Sequence, residues 1–90
     1  MTAQQEYLLI CLMEECGEII QAASKALRFG LDNNYPGTDR TNIGDILKEF
    51  NDLYAVRIML SREDVHIRYD DRAVLEKIRT IEEFLEKKFY

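Results

Sequence analysis

Histidine, cysteine and glycine are scarce in this chain of 90 residues, and positive charge is outnumbered by negative. The single histidine, His66, has no serine or cysteine nucleophile assigned to it, so a Ser–His–Asp arrangement is excluded. Glu63 and His66 have the Glu-x-x-His spacing of di-iron bundles, but those bundles need two such motifs and two further glutamates. His66 is therefore read as a surface or structural residue. The two cysteines, Cys11 and Cys16, form no Cys-x-x-Cys pair. On a helix they point about 140° apart, too far to bridge, and both are read as small core residues. No cysteine–histidine cluster suits zinc. The four glycines include no phosphate-cradling loop. Twelve basic against 17 acidic residues leave a formal charge of −5, which is no footprint for nucleic acid. Lys87 and Lys88 follow glutamates and read as helix-end charges. The apolar run from Tyr7 stops at Glu14, too short to span a membrane. No basic stretch precedes it and no small-residue cleavage site follows, so a cytoplasmic protein is expected.

What is present suits one all-helical domain spanning residues 1–90. An apolar fraction of 47% beside 32% charge is ordinary for a globular chain and excludes intrinsic disorder. The first helix is expected from Ala3 to Phe29, with Gly30 as its stop. Thr2 is a candidate cap, although Gln4 and Gln5 are not read as completing a capping box. Gly17 lies inside this helix, at a cost of about 1 kcal/mol against alanine. The Asn, Pro and Gly content of residues 31–40 marks a loop. A second helix begins near Thr41 or Asn42 and ends near Leu60. After an aperiodic stretch, a third runs from Asp71 to Lys88, with Val74, Ile78, Ile81 and Leu85 on one stripe.

The acids carry the chemical information. With Cys16 as the zero of the first helix, Leu9, Leu12, Ile20, Ala23 and Leu27 fall within about 40° and form the expected core stripe. Glu15 lies near −100°, in a sector otherwise held by Leu8, Cys11, Ala22 and Ala26. Glu18 lies near −160°, beside Lys25. On the second helix, Phe50, Ile43, Ile46, Leu53 and Tyr54 make the expected stripe. Glu49 sits near −100° in a sector shared with Val56 and Leu60, and Asp52 near −160°. Lys48 and Asn51 are assigned to the polar side. Each helix thus carries an acid pair spaced three apart, Glu15 with Glu18 and Glu49 with Asp52, and such residues are surface neighbours. Four carboxylates gathered by packing repel strongly. A hard divalent cation removes that penalty, which points to magnesium, with manganese as a substitute.

Two segments extend the pattern. Glu14-Glu15-Cys16-Gly17-Glu18 opens a run through Lys25 to Gly30, and Glu49-Phe50-Asn51-Asp52 lies within Ile46 to Val56. Together they resemble the MazG-like family of all-alpha nucleotide pyrophosphohydrolases, which carries Glu-Glu-x-x-Glu on one helix and Glu-x-x-Asp on the next. The resemblance covers roughly residues 5 to 60. The segment between the motifs is longer than in the tightest family examples, and Asn51 stands where many members have glycine. The resemblance implies magnesium held by Glu15, Glu18, Glu49 and Asp52, with Glu14, Glu15 and Glu49 as catalytic positions. Lys25 would face the phosphates, with Arg28 one turn onward as a second candidate. The implied reaction is hydrolysis of a nucleoside or deoxynucleoside triphosphate to the monophosphate and pyrophosphate. Tyr35 and Tyr54 are candidates to stack on the base.

Assembly is expected on two grounds. The first helix has two semi-apolar faces, and one short chain has too few helices to cover both. The family also assembles from copies. A homodimer, or a tetramer of dimers, completing a four-helix-type bundle of antiparallel helices is the expectation. The alternative from another class is a catalytically inactive helical interaction module whose acids serve only solubility.

Overall fold

The computed structural model describes all 90 residues, Met1–Tyr90. Three helices, α1 (Ala3–Phe29), α2 (Asn42–Arg62) and α3 (Asp71–Phe89), carry the chain, and there is no strand beyond a single Asn34–Thr41 bridge. No helix is long and apolar enough to cross a membrane.

Each helix starts on a side-chain cap that satisfies otherwise orphaned N–H groups. At α1 the cap is a full capping box, contrary to expectation. The Gln5 amide donates to Thr2 Oγ1 at 3.1 Å, and Thr2 N–H donates to Gln5 Oε1 at 2.9 Å. Glutamine at the third helical position serves as well as glutamate here. Thr41 caps α2 by accepting from Gly44 N–H, and Asp70 caps α3 by accepting from Arg72 and Ala73. Gly30, at φ 92°, ends α1 in a conformation that suits glycine. The loop turns through Pro36 and Gly37, the latter at φ 76°, as a type II turn requires.

The first two helices run antiparallel, and both ends of the pair are tied. Gln5 Nε2 donates to the Glu63 carbonyl at 2.9 Å, and Asn42 Nδ2 to the Gly30 carbonyl at 2.7 Å. The expected stripes are packed only in part: Leu9, Leu12, Ile43, Ile46 and Leu53 are half-buried, but the closest packing lies to one side of them. On α1 the contact sector is Leu8, Cys11, Glu15, Ala22 and Ala26; Ala22 is buried and the others half-buried. Cys16, Ile20, Ala23 and Leu27, assigned to the core from sequence, are exposed, Leu27 at 89%. On α2 Asn42 and Leu60 are buried, whereas Phe50 and Tyr54 are exposed. The small side chains of Ala22 and Ala26 let α2 approach this side of α1. Cys16 is thus a surface thiol, and both cysteines are free. A Cβ added at Gly17 would meet nothing within 4 Å, so that glycine makes no close contact within the chain.

The third helix packs against neither of the others. Its apolar stripe, Val74, Ile78, Ile81 and Leu85, stays between 43% and 47% exposed.

Candidate functional site

The pairing of the acid sectors brings together side chains from α1 and α2. Carboxylate oxygens of Glu15, Glu49 and Asp52 all lie within 4.8 Å of one another, and all three residues are half-buried. Glu15 Oε2 is buried and accepts no hydrogen bond. Burial pushes the Glu15 carboxyl above its usual 4.5. The nearby charges of Asp52, Glu49 and Glu18 add to that effect. Glu15 thus sits among like charges, with one buried oxygen that accepts no hydrogen bond. An all-oxygen donor set of this kind fits magnesium or manganese and lacks the softer ligands that zinc favours.

The remaining residues singled out from sequence divide. Glu18 and Glu49 line a cleft of about 580 Å³ between α1 and the start of α2. Lys25 lines the same cleft. Glu14 is exposed and lines no part of the cleft. Arg28 lies over the Phe29 ring, 5.0 Å from its centroid, and lines no part of the cleft. Tyr54 borders a separate cleft near His66, where Arg57 approaches its ring at 5.8 Å. His66 meets Ser61, Oγ to Nδ1, at 3.2 Å, in keeping with a structural role.

Three residues join the site that the sequence did not single out for it. Lys48 is exposed on the polar side, as expected, and its amine meets the edge of the acid group. Its Nζ lies 2.9 Å from Asp52 Oδ2 and 3.7 Å from Glu49 Oε1. The i,i+4 spacing of Lys48 and Asp52 was the available signal. Arg40 and Asp45 form a two-point pair: Nε donates to Oδ1 at 3.0 Å and Nη2 to Oδ2 at 3.2 Å. Tyr35 donates its hydroxyl to Asp45 Oδ2 at 3.1 Å. Thus Lys25, Arg40 and Lys48 face one cleft whose opposite charge comes from Glu18, Asp45 and Glu49. Lys25 also borders a second cavity of about 280 Å³, with Phe29, Asn33, Asn34, Tyr35, Pro36 and Asn42.

The Arg40–Asp45 pair sets one pH response. The Arg40 hydrogen bond, against the opposing effect of burial, holds the Asp45 carboxyl below its usual 3.8, and Tyr35 adds to it. A depressed carboxylate stabilises the fold above its unfolded value and loses that contribution as pH falls through the folded one. Asp45→Asn is expected to flatten the acid limb of the stability curve below about pH 4 and to cost little at neutrality. Arg40 is largely exposed, and such pairs contribute only about 0–1 kcal/mol. Thermal melts between pH 2 and 7 check this. An acid limb unchanged by the substitution would remove the pair from the account.

Comparisons with protein-family models, with curated proteins and with solved structures gave no match for this chain.

Proposed function

We propose that this protein is a magnesium-dependent nucleoside triphosphate pyrophosphohydrolase of the MazG-like kind, working as a homo-oligomer that completes a four-helix-type bundle. The observation that carries the reading is the buried, unpartnered Glu15 oxygen beside Glu49 and Asp52, with Glu49 also lining a cleft that holds Lys25, Arg40 and Lys48. A cluster of solvated acids kept for solubility has no need of such a placement.

Glu15, Glu49 and Asp52 would hold the metal, with Glu18 added from the next turn of α1. The chemistry a magnesium ion would supply there is offset of the acids' charge and a bound water of lowered pKa. The chain's own residues do the rest. Lys25 and Lys48 meet the phosphates from the two sides of the cleft, and Lys48 exchanges its contact with Asp52 for a phosphate oxygen. Both offset the charge that builds on the departing pyrophosphate. Water attacks the α-phosphorus and forms the new P–O bond, while the bond from that phosphorus to the bridging oxygen breaks. Glu49, whose carboxylate faces the cleft, accepts the proton from water. The products are the nucleoside monophosphate and pyrophosphate.

The second cavity takes the base, because it shares Lys25 with the phosphate cleft and offers the rings of Phe29 and Tyr35 beside the amides of Asn33 and Asn34. Stacking on an aromatic ring is worth roughly 1–3 kcal/mol per base. Phe29→Ala is expected to raise KM several-fold with a smaller change in kcat. The opposite pattern, a fall in kcat at constant KM, would remove the base from this cavity.

Incubation with canonical and modified triphosphates, with and without magnesium, tests the reaction. The expected chromatogram shows monophosphate and pyrophosphate only when metal is present. Substrates left intact, or a diphosphate product with inorganic phosphate, would overturn the assignment.

A further inference from the structure

Folded monomers of 10.6 kDa expose about 5,500 Å². This chain exposes 7629 Å². Its radius of gyration is 16.6 Å, against about 12 Å for a compact chain of this length. The excess has two sources on the same molecule. One is α3, which carries its apolar stripe away from the other helices. The other is the outer face of the α1–α2 pair, where Met13, Ile20, Leu27, Phe50 and Tyr54 are each more than half exposed.

The connection between them is not slack. Val65 N–H donates to the Leu60 carbonyl at 2.9 Å, and Arg57 Nε donates to the Ile67 carbonyl. The Arg57 guanidinium also sits 4.8 Å from the centre of the Tyr69 ring, and Ser61 meets His66. These contacts pin residues 65–69 along the last turns of α2. They fix the point from which α3 leaves, and they oppose its folding back onto its own chain.

We propose that α3 is an exchanged arm, which docks its stripe on the outer α1–α2 face of a second copy of this chain and receives that copy's α3 in return. The area decides the occupant. The excess is about 2,100 Å² per chain, so two chains closing on each other cover roughly 4,300 Å², within the 2,000–5,000 Å² of obligate dimers. Arm and face are both apolar and occur on the same molecule, so a two-fold exchange satisfies both without any other component. The proposal is independent of the metal site and its chemistry.

Cys16 supplies the test, since it is a free thiol exposed on the outer face of α1. One form of the full chain keeps Cys16 and carries Cys11→Ala. A second form carries Cys11→Ala, Cys16→Ala and Lys77→Cys; Lys77 lies beside the stripe, one turn before Ile81. The two are unfolded, mixed and refolded together, then treated with a short bismaleimide and separated on a denaturing gel. A covalent heterodimer, with sedimentation as a dimer before treatment, is the expected result. A third form holding both thiols distinguishes the alternatives. Cross-linking only within that chain, and none between the two single-thiol forms, would show that the arm folds back. Cross-linking of the Lys77→Cys form only to itself would show arm-to-arm pairing. Either pattern overturns the exchange.

Discussion

Replacing Glu49 with glutamine is expected to lower kcat/KM for triphosphate hydrolysis at least about tenfold, while the protein stays folded. Tenfold corresponds to about 1.4 kcal/mol of lost transition-state stabilisation. The figure is a lower bound because Glu49 holds two places in the reading. It is one of the three residues with oxygens within 4.8 Å of each other, and it also lines the cleft proposed to take water and phosphate. Glutamine keeps the shape and one oxygen but gives up the charge and the capacity to accept a proton. The fold is not at risk, since Glu49 receives no hydrogen bond from the backbone and pairs only with Lys48, at 3.7 Å. Lys25→Ala provides the contrast. It is expected to raise KM for the triphosphate and to leave the magnesium response of the melting temperature in place. A Glu49→Gln enzyme with full activity would remove that carboxylate from the chemistry, and a Lys25→Ala protein that no longer responds to magnesium would give Lys25 a structural role instead.

The helices were legible from sequence because their signals are local. The apolar period of 3.6, the stop at Gly30 and the capping residues each act within a turn or two, and all three helices formed within two residues of the expected bounds. The gathering of Glu15 with Glu49 and Asp52 was legible too, since a helical wheel places each acid beside apolar neighbours, whereas Glu18, read as a fourth member, is exposed and stands outside that group. Which face packs inside the chain was not legible. The first helix is apolar on two sides, and hydrophobicity alone does not say which side meets α2 and which is left for another surface. The choice went to the side with Ala22 and Ala26, where small side chains permit close approach, and it left Ile20 and Leu27 outside. Lys48 is exposed on the polar side, as read, and what the wheel did not bring out is its i,i+4 contact with Asp52, which carries it to the edge of the acid group. The Arg40–Asp45 pair joins a loop residue to the first turn of α2, and no periodic pattern reports such a contact.

Magnesium is expected to raise the melting temperature of the protein, and Glu15→Gln is expected to abolish that rise while stabilising the metal-free form. The argument starts from charge. In the metal-free protein Glu15 keeps an oxygen buried without a partner, facing two carboxylates and close to a third. Part of the folding energy is therefore lost to repulsion and missing hydration. A neutral glutamine of the same shape removes the repulsion, so the variant should melt above the parent when both lack metal. A cation gives the parent the same relief by binding only the folded state. At a hundred times its dissociation constant the gain is about 2.7 kcal/mol. For a domain of this size each kcal/mol moves the midpoint by about 4–8 °C, so the shift should reach about 10–20 °C. Manganese should act similarly, and sodium at matched ionic strength should not, because screening alone does not fill the oxygen's missing contact. Protein concentration must be held constant, since a dimer's midpoint depends on it. A parent whose midpoint ignores millimolar magnesium would leave the cluster as an ordinary acidic face. A glutamine variant that melts below the parent without metal would show instead that the Glu15 charge is stabilised within the fold, and the reason for placing a cation there would be gone.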